Sequence, residues 1–339
     1  MNRPQQHKLN VYRKRQMKKA LTFIAFCLFI IVLIPSVIVF YPKEERHADV
    51  YEVEEVTEEA SPIQVKVKRS QTDEVEEIPL ENYVASVVAS EMPAEFEIEA
   101  LKAQAIAART YIVNHLLQKG EDDVITDTTE HQVFKSDAEL KEHFAGDYEW
   151  KMQKVHEAVQ ATKDEIITYD KTPITPTFFS MSNGYTEDAE NYWGNELPYL
   201  KSVESKWEED LPNFTDQKIF TKQEVAEKLG VTQPLTEANM EIRRTNSNRV
   251  KELQIGEQAI SGKEVREKLQ LRSNDFTVKQ KGEHYIFTTK GYGHGVGMSQ
   301  YGANEMAKQG NNYKDILTYY YQDIAIEALA ETVPTLVSK

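Results

Sequence analysis

One acid, Glu91, stands at the end of an apolar helical run and two residues ahead of Pro93. In the stretch LENYVASVVASEMPAEF, Tyr83, Val84, Val87, Val88 and Glu91 recur at helical spacing, so the carboxyl shares a face with valines three and four residues back. Pro93 disfavours α geometry at Met92, and the helix is predicted to end there. A carboxyl backed by apolar side chains is poorly solvated, which raises its pKa and holds it protonated nearer neutral pH. A neutral, positioned carboxylic acid is what cleavage of a glycosidic bond needs first. A glutamate in a last helical turn is ordinarily a surface residue, although a helix C-terminus disfavours an anion. The pattern leaves both readings open.

Two further constellations carry candidate binding groups. FFSMSNGYTEDAENYWG reads as a strand running into a polar turn. Its Ser180, Ser182, Asn183, Thr186 and Glu187 suit hydroxyl recognition, and Tyr192 and Trp193 offer flat faces to sugar rings. The same residues also fit a plain turn cornered at Asn183-Gly184, with Trp193 in the core. GYGHGVGMSQYGA places four glycines in the seven residues from Gly291 to Gly297. Glycines let backbone approach a ligand or adopt positive φ. His294, Ser299 and Gln300 then supply donors and acceptors, either lining a cleft beside Glu91 or tightening a packed turn. No Walker lysine follows, so the loop is not a phosphate-binding P-loop. Nor is there a G-x-S-x-G nucleophile elbow. Arg109, in a second helix, either orients substrate or satisfies carbonyls beneath the site, and the second role is favoured.

SEMPAEFEIEALKAQAIAARTY, SNGYTEDAENYWGNELPYLKSV and GYGHGVGMSQYGA together resemble, in order, the core of the stage II sporulation protein D family. The resemblance implies a lytic transglycosylase of forespore engulfment. Its action would be to cut between N-acetylmuramic acid and N-acetylglucosamine in peptide-stripped peptidoglycan, leaving 1,6-anhydro ends. It also implies Glu91 as the principal acid and brings Gln132, in DTTEHQVF, towards the cleft. The amidase stage II sporulation protein P and the membrane protein M are the implied partners. Some family members bind zinc near this region through His and Cys. Here His131 has no nearby cysteine, so no metal and no cofactor are expected. The alternatives are a non-catalytic glycan-binding scaffold for a cell-wall amidase and a two-carboxylate hydrolase in which Glu187 takes part.

Composition limits the partners. The 339 residues carry a formal charge of −15. Ala20 to Tyr41 is uncharged over twenty-two residues, a length suited to a transmembrane helix, and seven basic residues with no acid precede it. That asymmetry predicts a single-pass signal-anchor in the cell membrane, with the N-terminus cytoplasmic and the remainder on the outer face. Setting the seven aside leaves 33 basic against 55 acidic side chains, near −22, which argues against nucleic acid. The one cysteine, Cys27, falls in the apolar span, so no internal disulfide is possible.

The expected layout is a basic tail at 1–19, the anchor at 20–41, an acidic tether at 42–61 and an exterior domain at 62–330. Within that domain, 207–290 stands out as a candidate subdomain. Alternation at Ile63, Val65 and Val67 predicts a strand ahead of the Glu91 helix. A second helix is predicted over Phe96 to Lys119, stopped by Gly120. Strands at 165–169, 176–181 and 249–255, a hairpin at 276–289 and helices at 221–229, 299–308 and 313–322 complete an irregular mixture. The expected class is therefore α+β behind one transmembrane helix.

Overall fold

The structure, a computed structural model, describes residues 63–337 except 233, 234, 237 and 238. The basic tail, the apolar span and the tether expected over residues 1–61 lie outside the described residues. Among those residues no helix is long and apolar enough to cross a membrane. The expected class is corrected accordingly: what the structure supports is a mixed α/β fold, without the single transmembrane helix.

Strand β1 (Gln64–Lys68) pairs antiparallel with β2 (Val75–Pro79) and parallel with β3 (Val124–Thr126). Val65 and Val67 point into the core, as period-2 alternation requires. Helix α1 (Leu80–Glu91) follows β2 directly and buries Tyr83, Val84, Val87 and Val88. It stops where the proline demands: Met92 is extended (φ −127°, ψ 136°), and its N–H still reaches the Val88 carbonyl at 3.0 Å.

Helix α2 (Ile98–Lys119) is the longest helix among the described residues. An amphipathic stripe over Ile98, Leu101, Ala105, Ala108, Ile112 and Leu116 understates it, because Ala103, Ile106, Ala107, Thr110 and Val113 are buried as well. A helix enclosed on nearly all sides has no polar face to show. Its alanines let α1, the helices Tyr148–Ala161, Gln300–Lys308 and Tyr313–Tyr320, and the strand Glu165–Tyr169 approach from different directions.

A second hydrophobic cluster forms within 207–290. The antiparallel strands Met240–Arg244, Val250–Ile255 and Gln258–Ser261 make one sheet. Phe276–Lys281, His284–Lys290 and Thr215–Thr221 make another. Val225 and Leu229 of one helix and Val265 and Leu269 of another pack with Phe276, Tyr285 and Phe287 between them. Both helices begin on a hydroxyl cap, Thr221 and Ser261, each accepting an N–H three residues on. The strand expected over 176–181 shortens to Phe178–Phe179, which pairs parallel with Met298–Ser299.

Candidate functional site

Glu91, the last residue of α1, lines a cleft of about 500 Å³. Its Oε1 accepts the Val133 backbone N–H at 2.9 Å. Burial raises its pKa above the usual carboxylate value, and the Val133 hydrogen bond and the Lys135 charge only partly oppose that rise. The described residues lining the cleft include one acid, Glu91. Replacing Lys135 by Gln removes a charge that favours the carboxylate, so the Glu91 titration should move further up. Carboxyl-detected NMR across the titration checks the direction; a downward move would show that Lys135 does not act on Glu91.

The segment carrying Val133 is held by its aromatic neighbour. Phe134 stacks on Tyr83 at 5.7 Å between centroids and 7° between planes, with the Arg69 guanidinium 5.1 Å from its centroid. Tyr83 also donates its hydroxyl to Gln132 Oε1 at 3.1 Å. Gln132 is buried, lines the cleft, and its Nε2 has no protein partner. A buried amide N–H₂ at a cleft wall is a donor left for a ligand.

The glycine loop supplies another wall. Gly293 and His294 line the cleft with Phe178, Phe179 and Ser180. The loop packs tightly as well: a Cβ on Gly297 (φ 82°) would sit 1.9 Å from the Thr177 carbonyl oxygen, so only glycine fits there. Lining and packing thus prove to be two faces of one segment. The His294 ring lies 5.7 to 5.8 Å from those of Phe179, Tyr192 and Trp193, and its Nδ1 accepts the Val296 N–H at 3.1 Å. Burial, then the Arg266 and Arg249 guanidiniums, push its pKa down to about 3, so it is neutral at physiological pH. Gln300, at the start of its helix, donates to the Glu91 carbonyl at 3.0 Å and so ties the loop to the end of α1.

The structure therefore gathers Glu91, Gln132, Ser180, His294 and Gln300 at one cleft. Six other candidate residues are placed elsewhere. Arg109 is fully buried beneath the site, with Nε and Nη2 bonded to the two Glu81 carboxylate oxygens at 2.9 and 2.6 Å. Ser182 donates to the Tyr185 carbonyl, and Thr186 bridges the Lys201 carbonyl and the Val203 N–H. Asn183 donates to the Ser247 carbonyl and to Asp275. Glu187 accepts from Asn191, Thr245 and Ser247 and from the Asp188 N–H. Ser299 caps its helix and bonds Glu208 at 2.5 Å. Short polar groups that suit sugar hydroxyls serve equally well to satisfy buried polar partners, and here Asn183 and Glu187 tie their segment to Thr245, Ser247 and Asp275.

Some lining residues, Tyr111, Thr129 and Arg266, carry no signal in the sequence, whereas His131 lies in the DTTEHQVF segment that the resemblance brings to the cleft. Tyr111 and Thr129 face the cleft, as does His131, whose Nδ1 lies 2.9 Å from Thr126 Oγ1. Arg266 and Tyr292 line it too. Among the described residues no group of three or more His, Cys, Asp or Glu is placed to hold a metal ion.

Fold and cleft together define a mixed α/β protein with one desolvated carboxyl in a cleft. A family model described as stage II sporulation protein matches residues 68–169. The chain is 48% identical over 276 residues to stage II sporulation protein D of Bacillus subtilis (strain 168), covering 80% of each. It is 42% identical over 317 residues to that of Bacillus amyloliquefaciens, covering 88% of this chain and 92% of the relative. An amidase enhancer of Bacillus subtilis (strain 168) is 29% identical over 293 residues, 69% of this chain and 39% of that protein. The chain belongs to the stage II sporulation protein D family.

Proposed function

We propose that this sporulation-family protein is a peptidoglycan lytic transglycosylase, with Glu91 as its acid and base. The observation that carries the reading is a carboxyl with a raised pKa that is the one acid among the described cleft-lining residues. Glu91 gives its proton to the glycosidic oxygen between N-acetylmuramic acid and N-acetylglucosamine, and the C1–O bond breaks. The resulting carboxylate then takes the proton of the muramyl C6 hydroxyl as that oxygen attacks C1 and closes the 1,6-anhydro ring. No water is consumed, and Glu91 ends protonated as it began, so one carboxyl serves both steps. A hydrolase by the usual route needs two carboxyls on the scissile bond. Glu187, the candidate second one, has its oxygens committed to four hydrogen bonds away from the cleft.

Gln132 Nε2 is a donor for a sugar hydroxyl or N-acetyl oxygen, and neutral His294 and Ser180 line the same cleft. Tyr111 and Tyr292 offer ring faces. The natural substrate in this reading is glycan already freed of stem peptides, worked on in engulfment beside the amidase stage II sporulation protein P and the membrane protein M. A relative named amidase enhancer fits a protein that acts with an amidase, and it also favours the second reading, a non-catalytic glycan scaffold. Mass analysis of a digest of purified, peptide-stripped glycan separates the possibilities. Anhydro-muramyl ends are the expected product. Reducing ends would mean hydrolysis, and no new ends at all would mean a scaffold.

A further inference from the structure

The Glu91 cleft does not end at Tyr292. A second cavity, of about 590 Å³, adjoins it, and Arg266 and Tyr292 line both. Its other walls include Asp216, Lys218, Gln270 and Arg272. Tyr292 is 48% exposed, and the Arg272 guanidinium lies 5.2 Å from its ring centroid. A half-exposed aromatic ring lining both cavities is a surface on which a saccharide chain can stack as it passes from one to the next.

Arg266, which lines both as well, stands on the helix Gly262–Leu269 of the second cluster. Its Nη1 donates to the Tyr192 hydroxyl at 3.3 Å, while its Nε is buried and has no protein partner. The acids nearby do not claim it: Asp216 lies 3.9 Å from Arg272, and Glu267 is exposed. Lys218 donates to the Gln270 carbonyl at 2.6 Å, and Lys263 sits 5.0 Å from the Tyr192 ring centroid. Lys218, Arg266 and Arg272 line this cavity with two acids, Asp216 and Glu267, so its walls are cationic on balance in a protein with a net charge of −15. The same positive field contributes to holding His294 neutral. A guanidinium with an unfilled donor in such a place matches a planar anion, above all a carboxylate.

We propose that the second cavity is a further saccharide subsite and that Arg266 reads the free lactyl carboxylate of a muramyl residue bound there. The inference rests on the glycan reading above. The backbone sugars of peptidoglycan are neutral except for that carboxylate, which exists only where no stem peptide is attached; in an unstripped strand the same carbonyl is an amide. Arg266 thereby makes the presence or absence of the peptide a matter of charge at a defined subsite, and it is a specificity-determining residue rather than a catalytic one.

Binding to full-length protein carrying Glu91→Gln, which leaves the glycan uncut, tests this by calorimetry. The probes are a peptide-free muramyl-containing tetrasaccharide, the same sugar with its lactyl carboxyls reduced to alcohols, and a chito-oligosaccharide of equal length. With Arg266 present, the carboxylate form should bind about tenfold tighter than the reduced form. Arg266→Gln should erase that difference, and Arg266→Lys should restore only part of it. The reduced sugar alters the contact without touching the protein, so the comparison stands even if a variant folds poorly. Equal affinity for the two muramyl sugars, or a difference that survives Arg266→Gln, overturns the role of Arg266 and leaves the glycan reading standing. Failure of all three sugars to bind overturns both.

Discussion

Glu91→Gln is expected to lower glycan cleavage by about 10²–10⁴-fold, the usual scale for loss of general acid–base catalysis, while the protein stays folded. The amide keeps the side chain's shape, and its oxygen can still accept the Val133 N–H that Glu91 Oε1 accepts now. What it cannot do is deliver a proton to the leaving oxygen. Stability should move in the opposite direction from activity. The folded-state pKa of Glu91 is raised by burial, so the folded protein binds this proton more tightly than the unfolded chain. Stability contributed by the group is therefore lost as pH climbs from the ordinary carboxylate range through the raised value, and above that value the full cost of a desolvated carboxylate is present. Removing the charge relieves that cost at neutral pH. The variant's melting temperature at pH 7 to 8 should equal or exceed that of the parent, and the gap should close in acid. Release of glycan fragments and circular-dichroism melts on the same preparations check both halves. A folded variant that cuts at the parental rate removes Glu91 from the chemistry. A variant with a lower melting temperature at every pH would make Glu91 a structural residue.

The raised pKa also predicts how activity depends on pH. The first step needs the acid form, and burial keeps that form populated to higher pH than an exposed glutamate would allow. Activity should fall as pH rises through the Glu91 pKa. That alkaline limb should follow the shift seen by NMR on replacing Lys135, because both report the same carboxyl.

Local chemistry wrote the part of this site that the sequence reveals. Pro93 fixes where α1 ends, the valines of α1 fix which side of Glu91 is dry, and both are read within a dozen residues. The rest depends on partners far along the chain. Glu187 meets Ser247 sixty residues away, and Asn183 meets Asp275 ninety-two residues away. Nothing within SNGYTED tells a group that fastens distant segments from one that greets a hydroxyl. The Val133 N–H is backbone, invisible to any argument from residue type. Arg266 sits in a capped helix, beside Glu267 and Lys268, and reads as one more solvated charge. Glu208 illustrates the same blindness. It lies in the acidic run WEED, which suggests a wet turn, yet it is fully buried among Ser182, Ser205 and Ser299 with its pKa raised by burial. Runs of like charge advertise exposure, and only three-dimensional contact shows which member has been drawn inside.

The Arg109–Glu81 pair gives the second large effect and decides whether Arg109 touches substrate. Removing Arg109 alone, as Arg109→Met, should destabilise the protein by about 3–5 kcal/mol, because the Glu81 carboxylate would stay buried without its partner. Arg109→Lys should recover only part of this. A lysine ammonium cannot reproduce the forked contact to both carboxylate oxygens, nor the 3.3 Å hydrogen bonds to the Val159 and Glu165 carbonyls. Replacing both members, as Arg109→Met with Glu81→Leu, should return most of the lost stability, since no uncompensated charge remains in the core. Urea unfolding of the set measures these differences. The double variant also separates the two roles. If Arg109 only clamps α2 to α1 beneath the cleft, the refolded double variant should cleave glycan at close to the parental rate, with its KM unchanged. If Arg109 oriented the glycan, the double variant would fold and still fail. The buried position of the guanidinium and its four hydrogen bonds to protein predict the first result.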